Sequence, residues 1–197
     1  MRKKITGDET DITPDAAREL IKKSLETIGE GDAEAAFFGG SFTGLDFELQ
    51  KKFLAAASEF YPKISGIRLS TRADYIDEKI VDMLCEYNVT AVELGVQSTD
   101  PDVLEKNLRG HGFEDVKKAA ELIKGKDIEL GLQMMIGMYG STPGKDIKTA
   151  EDIISLKPQT TRIYPTVTMK GKKLEEYYKN GLYKPYSLEE AVEVSKE

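Results

Sequence analysis

Apolar positions along the chain alternate between two spacings. Residues 35–38, 91–97 and 129–138 are short, mostly apolar runs, and 66–72 and 160–167 are short segments that mix apolar, β-branched and polar residues. Between them, apolar residues recur every three or four positions. The first spacing predicts buried strands, the second amphipathic helices. The stretch 66–100 sets the pattern. It reads as a strand over 66–72, a helix over 77–87 with Ile76, Ile80, Val81 and Leu84 on one face, and a strand over 91–97. Parallel strands need a long crossover, and a helix of this length supplies it.

The breaks between elements carry their own signals. Thr13-Pro14 opens a helix, with Thr as cap, Pro in the first turn and Asp15 at the positive end. Its apolar face is Ala17, Leu20, Ile21, Leu25 and Ile28, and Gly29 and Gly31 stop it. Further helices are predicted over 46–60, from Asp100-Pro101 to a break at 107–112, over 114–124, from Thr142-Pro143 to about Leu156, and over 174–180. Ser187 and Glu190 form a capping box that opens a last helix. Residues 1–12 are charged and lack periodicity, and read as a loop. Five strands, each followed by a helix, imply an α/β fold with a parallel sheet, covered on both faces or closed on itself. No linker divides the chain, so 1–197 reads as a single domain.

Composition narrows the classes. With 40 % hydrophobic and 32 % charged residues the chain suits a soluble globular protein. No apolar run reaches the roughly 18 residues that span a bilayer, and no apolar stretch follows the first charges as in a signal peptide. The expectation is a cytoplasmic protein. The net charge of −7 argues against a generally basic nucleic-acid surface, although a local basic groove stays open. Lys170, Lys172 and Lys173 could meet RNA phosphate, but a charge run is more often a solvated face. Cys85 is the only cysteine; it reads as a small core or surface thiol, since one thiol supplies neither a disulfide nor a metal site alone. His111, the only histidine, lies in a glycine-flanked turn with no evident partner.

Candidate chemistry lies at strand ends. Gly39, Gly40 and Ser41 follow the first run, Arg72 the second, and Gln97 and Ser98 the third. Gln133 interrupts the fourth run, and Tyr164 precedes Pro165 near the end of the fifth. Ligands of βα barrels are held at the carboxyl ends of strands.

Five motifs, in this order and spacing, resemble the radical S-adenosylmethionine (SAM) superfamily: Phe38-Gly-Gly-Ser-Phe42, Thr71-Arg-Ala-Asp-Tyr75, Glu93-Leu-Gly-Val-Gln-Ser98, Arg109-Gly-His111 with Asn107, and Ile163-Tyr-Pro-Thr166. Within it the likeness is strongest to Elongator's catalytic tRNA-modifying subunit, and looser to oxygen-independent coproporphyrinogen oxidases. The resemblance implies a partial (β/α) barrel and two cofactors, SAM and a 4Fe-4S cluster held by three cysteines. It implies small-molecule SAM as ligand and tRNA as a possible substrate. Carried over by residue, Gly39, Gly40 and Ser41 would meet the methionyl amino group; the alternative is a plain tight turn. Arg72 and Arg109 would meet the SAM carboxylate or substrate; the alternative is a structural ion pair. Gln97 and Gln133 would bond the ribose; for Gln97 the alternative is capping the next helix. Ile136 would back the adenine or simply fill the core, and Tyr164 would face adenine or pack in the barrel. Glu93 needs a partner, Arg68 or Arg72, whatever its role.

One departure matters. The three-cysteine motif is absent from this sequence. The expectation is therefore a member with its first strand and cluster loop missing, five parallel strands remaining, and truncation at both ends. Two readings follow: a radical SAM enzyme core that does not bind the cluster as this chain, or a non-catalytic barrel remnant serving as a SAM-binding or interaction module. In either case the strand at 35–38 would be an exposed sheet edge, a route to self-association.

Overall fold

The computed structural model describes residues 12–29 and 31–196. Among them the helices are α1 (Pro14–Ile28), α2 (Phe47–Ser58), α3 (Glu78–Glu86), α4 (Pro101–Lys106), α5 (Phe113–Lys124), α6 (Pro143–Ser155), α7 (Lys173–Lys179) and α8 (Leu188–Lys196). The strands are β1 (Glu34–Phe37), β2 (Gly66–Thr71), β3 (Val89–Gln97), β4 (Glu129–Ile136) and β5 (Thr160–Pro165). They form one sheet in the sequential order β1-β2-β3-β4-β5. The class is α/β, with the five strands in one parallel sheet, as the sequence predicted.

Most helices begin where a capping side chain stands. Thr13 accepts the Ala16 N–H, Asp77 that of Ile80, Asp100 that of Val103 and Thr142 that of Lys145. Asp46 accepts two, from Glu48 and Leu49. The capping box is reciprocal: Glu190 accepts the Ser187 N–H and Ser187 Oγ accepts the Glu190 N–H. Each such bond satisfies a donor that the first helical turn leaves open.

Strand limits differ from the sequence reading by a few residues. β1 lies over Glu34–Phe37, not 35–38. β2 stops at Thr71, and Arg72 instead precedes a 3-10 turn, Ala73–Tyr75; a second such turn, Phe42–Gly44, follows β1. β3 starts at Val89, directly after Asn88, whose left-handed backbone (φ 54°) closes the preceding turn. β4 ends at Ile136 because Gly137 turns left-handed, with φ 67°. β5 lies within the predicted 160–167, and all six of its residues are exposed, with β4 as its neighbour.

The chain packs as two compact units. One holds the described residues up to Leu94 together with Ala119–Leu130; the other holds Gly95–Lys118 and residues from Gly131 onward. In the first, β1 pairs with β2 in parallel (Glu34↔Gly66 to Phe37↔Leu69), and β2 with the start of β3 (Arg68↔Ala91 to Thr71↔Leu94). Leu54, Ile67, Leu69, Leu84 and Val92 fill its core. Phe37, Phe42 and Phe53 form an aromatic cluster with centroids 5.0 to 6.5 Å apart. In the second, β4 pairs with β5 from Gly131↔Thr160 to Ile136↔Pro165, and Leu132, Met134, Ile136 and Ile153 are buried.

Candidate functional site

In the first unit the loop after β1 is open. A Cβ built on Gly39 or Gly40 would meet nothing within 4 Å, so space lies free above this backbone. Gly39 has φ 94°, which side chains adopt only with strain. Gly40 accepts a long 3.4 Å bond from Ser70 Oγ, and Ser41 is half-buried. An open, side-chain-free turn of this kind can receive a ligand against its peptide groups.

Arg72 makes the structural ion pair. Its Nε and Nη2 donate to both carboxylate oxygens of Asp74, at 2.9 and 2.6 Å, and the guanidinium lies 4.9 Å from the Tyr75 ring centroid. Its fork thus stiffens the 3-10 turn two residues on. The partner of Glu93 is Arg68: Glu93 is 4 % exposed and its Oε1 lies 3.7 Å from Arg68 Nη1. Arg68 also bonds Glu34 at 3.1 Å and Glu129 at 3.3 Å, so one guanidinium serves the carboxylates of β1, β3 and β4.

In the second unit Gln97 is the unusual residue. It closes β3 with φ 69° while only 5 % exposed. A buried, non-glycine residue in the left-handed region is strained, and such strain persists only where surroundings enforce it. Two neighbours do so. Gln133 Nε2 donates to Gln97 Oε1 at 3.4 Å, and the preceding carbonyl, Val96 O, lies 3.3 Å from Nε2 of buried His111. The structure thus brings together Gln97 and Gln133, which the sequence named, and adds His111, which it set aside. Gln97 does not cap the next helix: Asp100 caps α4 and Ser98 Oγ accepts the Asp100 N–H.

The other predicted positions divide. Arg109 is half-buried, its backbone N–H bonded to Leu104 O. Ile136 is 1 % exposed and serves as core. Tyr164 is 40 % exposed, so it does not pack in the barrel; its hydroxyl accepts from Arg162 Nη1 at 3.4 Å.

The sequence reading missed the group around Gly137. Asp146, 2 % exposed, accepts from Gly137 N–H at 2.9 Å, from Ser141 Oγ at 2.5 Å and from the Tyr186 hydroxyl at 2.8 Å. The Tyr183 hydroxyl donates to Gly137 O at 2.8 Å. The signal lay in spacing: Asp146, Thr149 and Ile153 share the buried face of α6.

The donor set tests the two groups the fold implies. A cluster held by three cysteines does not fit: Cys85 stands alone, in α3, and no group of three His, Cys, Asp or Glu among the described residues is placed to hold a metal. In the first unit the open Gly39–Gly40 backbone offers peptide groups at the end of β1, and in the second the buried side chain of Gln97 offers a polar group at the end of β3.

Comparison with known proteins decides the family. The family model described as the Radical SAM superfamily matches residues 2–153. This chain belongs to the radical SAM superfamily. The radical SAM C-terminal domain matches residues 158–197. Over 196 aligned residues the chain is 33 % identical to the tRNA uridine(34) acetyltransferase of Methanocaldococcus jannaschii, covering 87 % of this chain and 36 % of that protein. It is 30 % identical to Elongator complex protein 3 of Homo sapiens, covering 67 % of this chain and 25 % of that one. Among solved structures, Elp3 of the archaeon Methanocaldococcus infernus, with an N-terminal deletion, matches with a TM-score of 0.77 and 32 % identity over 91 % of this radical SAM chain and 47 % of its own. Coproporphyrinogen III oxidase of Escherichia coli matches with a TM-score of 0.66 at 14 % identity, a likeness of fold, over 91 % of this chain and 42 % of that one. The radical SAM chain described here spans about a third of the length of the first of these relatives.

Proposed function

We propose that this chain is a SAM-binding core of an Elongator-like radical SAM protein that takes part in the modification of tRNA uridine. Its relatives named for tRNA uridine(34) support the substrate class. The observation that carries the ligand reading is Gln97, strained and buried at the carboxyl end of β3 with Gln133 bonded to its side-chain oxygen. A polar pair held in that way at a strand end is pre-set to bond a hydroxylated ligand. In this reading Gly39, Gly40 and Ser41 offer peptide groups to the methionyl amino end, Arg109 pairs with the carboxylate, and Gln97 and Gln133 bond the ribose. Ile136 backs the adenine from the core, and Tyr164 is available to substrate from the rim. Arg72 would have to leave Asp74 to take part.

In this family SAM supplies an adenosyl radical when cleaved at a reduced iron–sulfur cluster. The single cysteine favours the second reading for this chain taken alone: it binds SAM without being the source of the radical. No helix among the described residues is long and apolar enough to cross a membrane, in keeping with a cytoplasmic role. The β1 edge, with no neighbour beyond it among the described strands, is the proposed route of self-association.

Isothermal titration of the chain with SAM tests this directly. Binding that is lost in Gln97→Ala and weakened in Arg109→Ala is the expected result. A wild-type chain with no heat of binding would refute the SAM reading and leave a scaffold or interaction module. Anaerobic reconstitution is expected to leave the chain without a bound cluster, and four irons per chain would overturn that part. Light scattering at high concentration checks self-association, against which a monomer would count.

A further inference from the structure

A hollow lies wholly within the first unit, where α2 and α3 begin. Its volume is about 310 Å³, and Leu45, Phe47, Gln50, Tyr75, Ile76 and Ile80 line it. That is near the lower end of the range for small-ligand pockets, roughly 300 to 1,000 Å³. Gln50 is 1 % exposed. Its Nε2 donates to Thr43 O at 3.1 Å and to Leu45 O at 2.8 Å, which fixes the amide orientation. Gln50 Oε1 is then left buried with no hydrogen-bond partner. A buried acceptor without a donor costs about 1 to 3 kcal/mol, so a donor brought to it gains correspondingly.

Two flat rings border the same hollow. Tyr75 is placed against the backbone of Gly44, where a Cβ would come within 2.8 Å of its ring; the missing side chain makes room for it. The Arg72 guanidinium lies 4.9 Å from the centroid of that ring. Phe47, which lines the hollow, carries Lys79 Nζ at 4.1 Å and Lys51 Nζ at 5.5 Å from its centroid, and Lys51 also pairs with Glu48 at 3.6 Å. The two carboxylates on the rim are already engaged, Asp74 with Arg72 and Asp77 as the cap of α3.

We propose that this hollow binds a nucleobase, its N–H edge directed to Gln50 Oε1, its face against Tyr75 or Phe47, and its phosphate toward Lys79. An aliphatic amine would satisfy Gln50 but not the rings, and it would meet the like charge of Lys79. A purely apolar group would leave Gln50 unpaired. The base can come from a free nucleotide or from a single-stranded RNA. This proposal stands on residues 43–80, of which only Arg72 is also named in the SAM reading.

The test is NMR titration of the full chain with the four nucleoside monophosphates and with a short single-stranded RNA, following the Gln50 side-chain amide. The expected result is a saturable shift of that signal by at least one probe. Tyr75→Leu should weaken the binding by about tenfold, as loss of one stacking face does, while the melting temperature shows that the variant folds. Lys79→Ala should weaken nucleotides more than the matching nucleosides. A response to RNA alone assigns the hollow to an RNA chain, and an equal response to mononucleotides assigns it to free nucleotide; both support the proposal. No shift of Gln50 at millimolar probe, unchanged affinity in a folded Tyr75→Leu, or butylamine binding as tightly as the nucleotides would overturn it.

Discussion

Tyr186 donates its hydroxyl to Asp146 at 2.8 Å, joining two residues forty positions apart in sequence. The bond closes a clamp on one peptide turn. Asp146 takes the Gly137 N–H, Tyr183 donates to the Gly137 carbonyl, and a Cβ on Gly137 would come within 3.0 Å of the Tyr186 ring. The segment before α8 thereby fixes where β4 ends. Replacing Tyr186 by Phe keeps the ring and removes the donor. We expect a loss of about 1 to 3 kcal/mol in urea unfolding, and a larger loss for Asp146→Ala, which strands Gly137 N–H, Ser141 and Tyr186 together.

The same clamp predicts alkaline sensitivity. Burial first, and the neighbouring Asp146 second, push the Tyr186 phenol well above its ordinary range; burial also raises Tyr183. A group raised in the folded state contributes stability that is fully present below its unfolded pKa, about 10 for tyrosine. That stability is lost as pH rises through the folded value. Melting temperature followed from neutral to strongly alkaline pH should fall more steeply in the wild type than in Tyr186→Phe.

Acid acts on other residues. Burial works to raise Asp152, but Lys148 and Thr99 outweigh it and hold the carboxyl below its usual value. Asp100 behaves alike: burial is outweighed by the Val103 N–H and Lys145. A depressed carboxyl contributes stability present above its unfolded pKa of about 3.9 and lost as pH falls through the folded value. Asp152→Asn should therefore flatten the acid limb of the stability profile.

Arg68 holds buried Glu93 together with Glu34 and Glu129. Arg68→Met leaves that buried carboxylate without its guanidinium, and breaking a buried pair costs about 3 to 5 kcal/mol. Glu93→Gln in the same chain should recover much of the loss, measured as a double-mutant cycle by chemical denaturation.

Gln97 separates strain from binding. A left-handed non-glycine residue costs about 1 to 3 kcal/mol, and Gln97→Gly removes that cost along with the contact to Gln133. Its melting temperature should stay near that of the wild type while its heat of SAM binding disappears. A variant that still binds SAM would remove Gln97 from the ligand's partners.

How much of this was legible in the sequence depends on the range of the interaction. The helix starts were, because Thr13, Asp77, Asp100, Thr142 and Ser187 act on N–H groups three residues away. The order of strands was also legible, since crossover length and apolar runs are local properties. For Arg72 the sequence left a carboxylate ligand and a structural ion pair open, and Asp74, two residues on, is the carboxylate it meets. The exposure of Ile163 and Tyr164 was not legible, since it depends on what covers the faces of β5. The left-handed backbone at Gln97 and the Asp146 clamp depend on contacts from distant elements, which periodicity does not report.

The exposed fifth strand has a kinetic consequence. Its six residues pair with β4 on one flank, and none of its side chains is buried. Its amides can therefore open to deuterium without disturbing the packed interior, whereas those of Leu130 or Leu132, both within the core, require that interior to come apart. Hydrogen exchange should divide neighbouring strands into a fast outer one and a slow inner one, so that the sheet loosens from its C-terminal margin inward.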